Sequence, residues 1–100
     1  MEFTIIKNTG GHKEIDFGNG RSTQGFYQLA QKLESILSIT YHKKNDNFNT
    51  LTWNYSYHGV PFILHHHWDS GTTIQLQSKS PTEQEELILD DIAHALLEFK

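Results

Sequence analysis

Three consecutive histidines stand near the middle of the sequence, at His65, His66 and His67, and Asp69 follows them two residues later. Because side chains on a β-strand alternate between its two faces, His65 and His67 project from the same face. An H-x-H pair on a strand is a geometry that zinc sites use, and Asp69 would extend the row if the strand continued into the next turn. The simpler interpretation, which the pattern favours, is that His65 and His67 lie on a solvated face of the sheet and bind no metal, with His66 partly buried.

The sequence shows no catalytic motif. It has no cysteine, no nucleophile elbow, no phosphate-binding glycine loop followed by lysine, and no H-E-x-x-H. A metal site built on the histidine pair would still need a third ligand and a general base, and neither can be identified. We therefore expect a protein that is not an enzyme and has no cofactor, with zinc as the alternative.

The histidines belong to a stretch, Leu51–Ser78, that predicts three antiparallel strands joined by tight turns. Residues 51–57 alternate four large apolar side chains with three polar ones, the period of two that a half-buried strand requires. His58-Gly59 and Asp69-Ser70-Gly71 have the composition of turns. The predicted meander is apolar on one face and mostly polar on the other.

Two helices are predicted to cover the apolar face. Residues 23–37 carry an apolar stripe at three- and four-residue spacing after a capping residue at Ser22 or Thr23. Residues 81–99 carry a second stripe, which includes Phe99. Ser80-Pro81-Thr82-Glu83 predicts a capping box, with Ser80 as the cap and Pro81 as the first helical residue. With short strands at about 2–7, 12–17 and 39–44, we expect one α+β domain over residues 1–100: an antiparallel sheet of five or six strands with both helices on one face.

Two groups of side chains are candidates for binding a partner. Tyr57 and Trp68 stand at the ends of predicted strands, where an aromatic side chain either joins the core or anchors a contact. Phe48, in the turn-rich run NDNFNT, folds back on the core in the simpler interpretation and forms a contact surface in the other. Trp53 and Phe62 are expected in the core.

The second group is acidic. Residues 51–100 carry two basic and seven acidic side chains, a net of −5, whereas residues 1–50 have a net of +1. Glu83, Glu86 and Asp90 recur on one side of the second helix, and Asp91 extends the area. This pattern is typical of a solvated helix face, but an acidic patch can also steer a basic partner.

Composition excludes several classes of function. One hundred residues with 36% hydrophobic side chains make one domain with a single core. The net charge of −4 argues against general binding to nucleic acid or to an anionic membrane. No signal peptide or spanning segment is recognisable, so we expect a cytoplasmic protein.

The C-terminal half carries a resemblance. The run TWNYSYHGVPFILHHHWDSGTTIQLQSKSPTEQEELILDDIAHALLEF, about half of the chain, resembles small bacterial domains that include the immunity proteins of polymorphic toxin systems. The resemblance lies in an aromatic strand, a glycine turn, an aliphatic strand ending near an acidic residue, and a capped final helix.

That resemblance implies a protein-binding inhibitor whose acidic face covers a basic toxin domain, and it assigns no site residue. The alternatives are the His-dependent metal-binding protein or hydrolase, and a homo-oligomeric structural subunit. The sequence leaves the oligomeric state open.

Overall fold

Six strands and two helices form the chain in the computed structural model, which describes residues 2–18 and 22–98. In chain order they are β1 (Thr4–Lys7), β2 (Lys13–Asp16), α1 (Thr23–Leu37), β3 (Lys43–Asp46), β4 (Thr50–Tyr57), β5 (Val60–His67), β6 (Gly71–Leu76) and α2 (Glu83–Glu98). The predicted α+β architecture is confirmed. Phe99, expected in the second helix, lies outside the described residues.

The strands form one antiparallel sheet in the order β1-β2-β6-β5-β4-β3. The predicted meander therefore occupies the centre, and the N-terminal hairpin of β1 and β2 joins it through β6. β4 and β5 pair along their whole length. His58 and Gly59 connect them with φ of 52° and 77°, the left-handed backbone that a two-residue hairpin turn requires.

Both helices pack on the face of the sheet where the apolar side chains of the central strands project. The side chains of Phe26, Leu29 and Leu33 from α1, and of Leu89 and Ile92 from α2, belong to the same core. The opposite face carries mostly polar side chains and has no helix on it within the described part of the chain. The alternation of the strands therefore decides which face is covered.

The helix starts follow the rules for capping, with one correction. The Ser22 hydroxyl accepts the Gly25 amide at 3.1 Å, as expected for the cap of α1. The capping box of α2, however, is formed by Thr82 and Glu85, not by Ser80 and Glu83. The Thr82 hydroxyl accepts the Glu85 amide at 3.2 Å, and the Glu85 carboxylate accepts the Thr82 amide at 2.8 Å. Ser80 with Glu83 and Thr82 with Glu85 both have the S/T-x-x-E spacing, and the predicted pair is not the one that forms.

The segment before β3 also differs from expectation. A strand was predicted from Ile39 to about Lys44, but β3 begins at Lys43. Ile39 and Tyr41 are buried instead, and the Tyr41 hydroxyl donates to the Ala30 carbonyl of α1 at 3.0 Å. Their side chains are part of the core, and the short edge strand is formed by the polar residues that follow, Lys43–Asp46.

Candidate functional site

Three connections meet at one end of the sheet because neighbouring strands run in opposite directions. They are the β3–β4 turn at 47–49, the β5–β6 turn at 68–70, and the start of the segment after β2, at residues 17 and 18. The first turn of α1 lies at the same end. The Trp68 amide donates to the Asn49 carbonyl at 3.3 Å, so the two turns are in direct contact.

This end of the molecule exposes three aromatic side chains. Phe48 is fully exposed, Trp68 is 69% exposed and Tyr27 is 43% exposed. The expectation that Phe48 folds back on the core is therefore wrong. We call Tyr27, Phe48 and Trp68 the aromatic rim. Exposing side chains of this size to water forgoes the free energy of burying them, about 1.5–3 kcal/mol for a phenylalanine.

The aromatic rim surrounds a cleft of about 290 Å³. Its remaining lining residues are Thr23, Asp46, Asn47, Asn49, Thr50, Leu51 and His66. Two of these, Leu51 and His66, are buried and so form the inner part of the cleft, whereas the asparagines belong to the β3–β4 turn. The cleft thus combines a small apolar floor with a polar wall.

His66 is the titratable group at the inner end of the cleft. It is 4% exposed, its Nδ1 lies 2.8 Å from the Thr72 hydroxyl, and its ring packs 5.7 Å from that of Phe26. Burial lowers the pKa of His66, and the neighbouring His65 and His67 lower it further. The imidazole is therefore neutral at pH 7.

A histidine beside a hydroxyl also suggests a base and a nucleophile, but the geometry does not support that interpretation. Thr72 is completely buried, so no substrate can reach its hydroxyl oxygen. The contact satisfies two polar side chains inside the sheet, as buried polar groups require. No catalytic role follows from it.

The charged residues near the aromatic rim are acidic or already in contact. The Trp53 indole donates to the Asp46 carboxylate at 2.7 Å, and the Lys44 ammonium lies 4.4 Å from the centre of the Trp53 ring. Asp69 directly follows Trp68 and is exposed. Its backbone amide donates to His67 Nδ1 at 3.1 Å, and its carboxylate forms no ion pair with the residues at 2–18 and 22–98.

The predicted zinc ligands are only partly brought together. His65 and His67 share the polar face of the sheet, as expected from the alternation of β5. The strand ends at His67, so Asp69 does not extend the row. His65 Nδ1 also lies 3.2 Å from the Thr52 hydroxyl. Within residues 2–18 and 22–98, no group of three or more histidine, aspartate or glutamate side chains is arranged to hold a metal ion.

The four acidic residues of α2 that were predicted to form a binding patch divide into two sets. Lys13 of β2 donates its backbone amide to Glu86 at 3.2 Å and forms an ion pair with Asp90 at 3.1 Å. These two carboxylates therefore connect the helix to the sheet. Glu83 and Asp91 are exposed and make no such contact in the part of the chain that the structure describes. Only this second set could meet a partner without disturbing the fold.

Tyr57 does not belong to the same surface as Trp68. It precedes the β4–β5 turn, whereas Trp68 follows β5, so the eight residues of that strand separate them. Tyr57 packs partly against the core, and its ring contacts His58 at 4.1 Å between centres. Tyr27, which the sequence analysis did not single out, takes its place beside Trp68. The sequence could have indicated this, because Tyr27 follows Phe26 and lies just outside the apolar stripe of α1.

Comparison with models of protein families, with curated proteins and with solved structures found no match for this chain. None of the helices in residues 2–18 and 22–98 is long and apolar enough to cross a membrane. The fold and the site define a two-layer α+β domain with an exposed aromatic cleft, and its function has to be argued from that surface.

Proposed function

We propose that this chain is a protein-binding module whose partner docks on the aromatic rim. The observation that carries the proposal is the exposure of Phe48 and Trp68 side by side, on two turns that are hydrogen-bonded to each other. Tryptophan and tyrosine are enriched among the few residues that supply most of the affinity of protein interfaces. Large rigid side chains on ordered turns also lose little conformational entropy on binding.

The shape of the site favours a protein over a small molecule. A cleft of about 290 Å³ is at the lower limit for ligand pockets, which usually enclose about 300–1,000 Å³. Phe48 lies at the edge of this cleft, and its side chain is fully exposed to solvent. It would insert into a partner, while the cleft beside it receives a side chain from that partner.

A basic partner surface is the best chemical match. The chain has a net charge of −4, and Asp69 adjoins the aromatic rim. An arginine or lysine from the partner could lie over the Trp68 ring and meet the Asp69 carboxylate, which combines a cation–π contact with charge pairing. Complementary charge would also accelerate association at low salt.

The narrower proposal is an immunity-type inhibitor of a basic toxin domain. Its support is the resemblance of the C-terminal half together with the acidic net charge. In this proposal Glu83 and Asp91 form a second, peripheral contact area. The internal contacts of Glu86 and Asp90 make those two carboxylates weaker candidates than the sequence suggested.

The experiment is quantitative capture of partners from a lysate of the source organism, with the wild type and three variants. In the first variant Phe48 and Trp68 are both replaced by alanine. The control is Leu97→Ala, which truncates another exposed apolar side chain, on α2. The third variant, Asp91→Lys, tests the acidic surface of the helix.

We expect one stoichiometric partner, bound by the wild type and the control and lost from the double variant. Replacing a hot-spot aromatic by alanine typically loses about 2 kcal/mol or more of binding free energy, so the affinity of the double variant should fall by more than a hundredfold. Far-UV circular dichroism should stay unchanged, because neither aromatic is in the core. Equal capture by the double variant would refute docking on the aromatic rim. If only Asp91→Lys loses the partner, the acidic helix surface is the site instead.

A further inference from the structure

The two edges of the sheet are protected very differently. β3, at one edge, has the sequence KKND, and charged residues on an edge strand discourage pairing with other chains. β1, at the other edge, has the sequence TIIK, and all four residues are exposed. Ile5 is 47% exposed and Ile6 is 38% exposed. An exposed apolar edge strand is a surface on which another strand can pair.

The hydrogen-bond pattern of the first hairpin shows which groups of β1 are available. The Asn8 amide donates to the His12 carbonyl at 2.8 Å, and the pairs Ile6–Glu14 and Ile5–Ile15 continue the same register. Bonded and non-bonded pairs alternate in an antiparallel ladder. Ile6 therefore bonds to β2, whereas the backbone amide and carbonyl of Ile5 point away from β2, toward the free edge. The same holds for Phe3 and Lys7, two residues away on either side.

We propose that the β1 edge pairs with the β1 edge of a second copy of this chain, antiparallel, with Ile5 opposite Ile5. This register is self-complementary, because it also places Phe3 of each copy opposite Lys7 of the other. All outward-facing amides and carbonyls from Phe3 to Lys7 are then paired. The two sheets become one of twelve strands, with the two-fold axis perpendicular to it and the helices of both copies on the same side.

The outer side of α2 fits the same interface. A groove of about 470 Å³ lies between β1 and this helix, and Ile5, Leu87 and Ile88 are among its lining residues. Leu87 is 53% exposed. Because the second copy extends the sheet from β1, its own β1 and α2 would cover part of this groove, whose lining also includes Gln84, Asp90, Asp91 and His94.

The charges favour a second copy as the occupant. Lys7 makes no ion pair within the described ranges, where the only such pair joins Lys13 and Asp90. Glu86 and Asp90 contact Lys13, which pairs with Lys7, and Ala93 and His94 line the same groove as Ile5. We infer from these contacts that the C-terminal half of α2 extends toward the Phe3 end of β1. In the proposed register, Lys7 of the second copy comes to that end. There the last turn of α2 carries no basic residue, and the helix dipole favours a cation.

The interface is small, so the dimer should be reversible. One short strand and part of a helix face should bury less than the roughly 1,200 Å² of standard interfaces. We expect a mass of 11.6 kDa at low concentration and twice that mass at high concentration, with a Kd of roughly micromolar order. The proposal is independent of the aromatic rim, which lies outside this edge.

Sedimentation velocity over a broad concentration range measures the dimer directly. Ile5→Pro is the sharpest variant, because it removes an amide that points to the free edge and leaves the β1–β2 ladder intact. The loss of two symmetric hydrogen bonds should raise the Kd about tenfold or more. Leu87→Lys, a change on the helix, should have a similar effect without altering any strand. Lys44→Pro makes the matched change at the β3 edge and should leave the Kd unchanged.

Amide hydrogen exchange gives a second readout that does not depend on a variant. The amides of Ile5 and Lys7 should become protected as the concentration rises, whereas those of Lys44 and Asp46 at the opposite edge should not. A monomeric mass at all concentrations would overturn the proposal. So would a dimer that Ile5→Pro and Leu87→Lys leave unchanged, because its interface would then lie elsewhere.

Discussion

Tyr55 and Tyr41 make a matched pair of buried hydroxyls, and we predict opposite effects when each is removed. Their rings pack edge to face with centres 5.7 Å apart. The Tyr41 hydroxyl donates to Ala30, whereas the Tyr55 hydroxyl has no hydrogen-bond partner among the described residues. A buried polar group without a partner costs about 1–3 kcal/mol, and an ordinary hydrogen bond contributes about 0.5–1.5 kcal/mol.

Tyr55→Phe should therefore stabilise the fold. The ring keeps its stacked contact with Phe62 at 5.7 Å between centres, and only the oxygen is lost. Allowing for the small void left behind, we expect a gain of about 0.5–2 kcal/mol in the free energy of unfolding. Tyr41→Phe should lose about 0.5–1.5 kcal/mol. For a domain of this size each kcal/mol shifts the Tm by about 4–8 °C.

The assay is urea unfolding followed by circular dichroism, with the m-value as the check that both variants unfold from the same native state. The pH dependence of the free energy of unfolding at alkaline pH gives a second test. Burial raises the pKa of both tyrosine hydroxyls, and the charge of Glu34 adds to the effect at Tyr41. Ionisation of either hydroxyl therefore favours the unfolded state, and the free energy of unfolding should fall as the pH rises above about 10. The reasoning is refuted if Tyr55→Phe destabilises the protein as much as Tyr41→Phe does.

Two further predictions concern charge. Burial lowers the pKa of His65 and His66 below the usual 6.5, so protonation favours the unfolded state. The free energy of unfolding should therefore fall as the pH drops below about 6.5. His66→Gln should reduce that slope in unfolding curves measured at each pH. The ion pair of Lys13 with Asp90 is partly exposed, so a double-mutant cycle with Lys13→Met and Asp90→Asn should give a coupling free energy below about 1 kcal/mol. A coupling several times larger would show that the pair is far better shielded from water than its exposure indicates.

Local patterns in the sequence determined most of the fold. The alternation in residues 51–57 sets which side chains of β4 face the core, since neighbouring strand residues must point to opposite faces. The stripe of α1 follows equally from the 3.6-residue period, and of the two predicted caps, Ser22 and Thr23, the structure uses Ser22. The cap of α2 was predicted wrongly, because Ser80 and Thr82 each begin a capping spacing and the structure uses Thr82. Which of the two is used depends on how the chain leaves β6.

The candidate site could be predicted only in part. Trp68 was recognised because it stands at the end of a strand, and the exposed alternative for Phe48 was considered. Their position at the same cleft depends on the strand order, since the turns that carry residues 48 and 68 come together only when β4 and β5 pair. Tyr27 joins them because the first turn of α1 lies at the same end of the sheet. No short-range pattern contains that information.

The sequence by itself determined the strands, the helices and the apolar face, because each depends on a period of a few residues. The tertiary structure decided which side chains are free to act. It engaged Glu86 and Asp90 with Lys13, more than 70 residues away in the chain, and left Phe48 in solvent. Whether a charge or an aromatic ring is satisfied depends on partners that are distant in sequence, and only the folded chain brings those partners together.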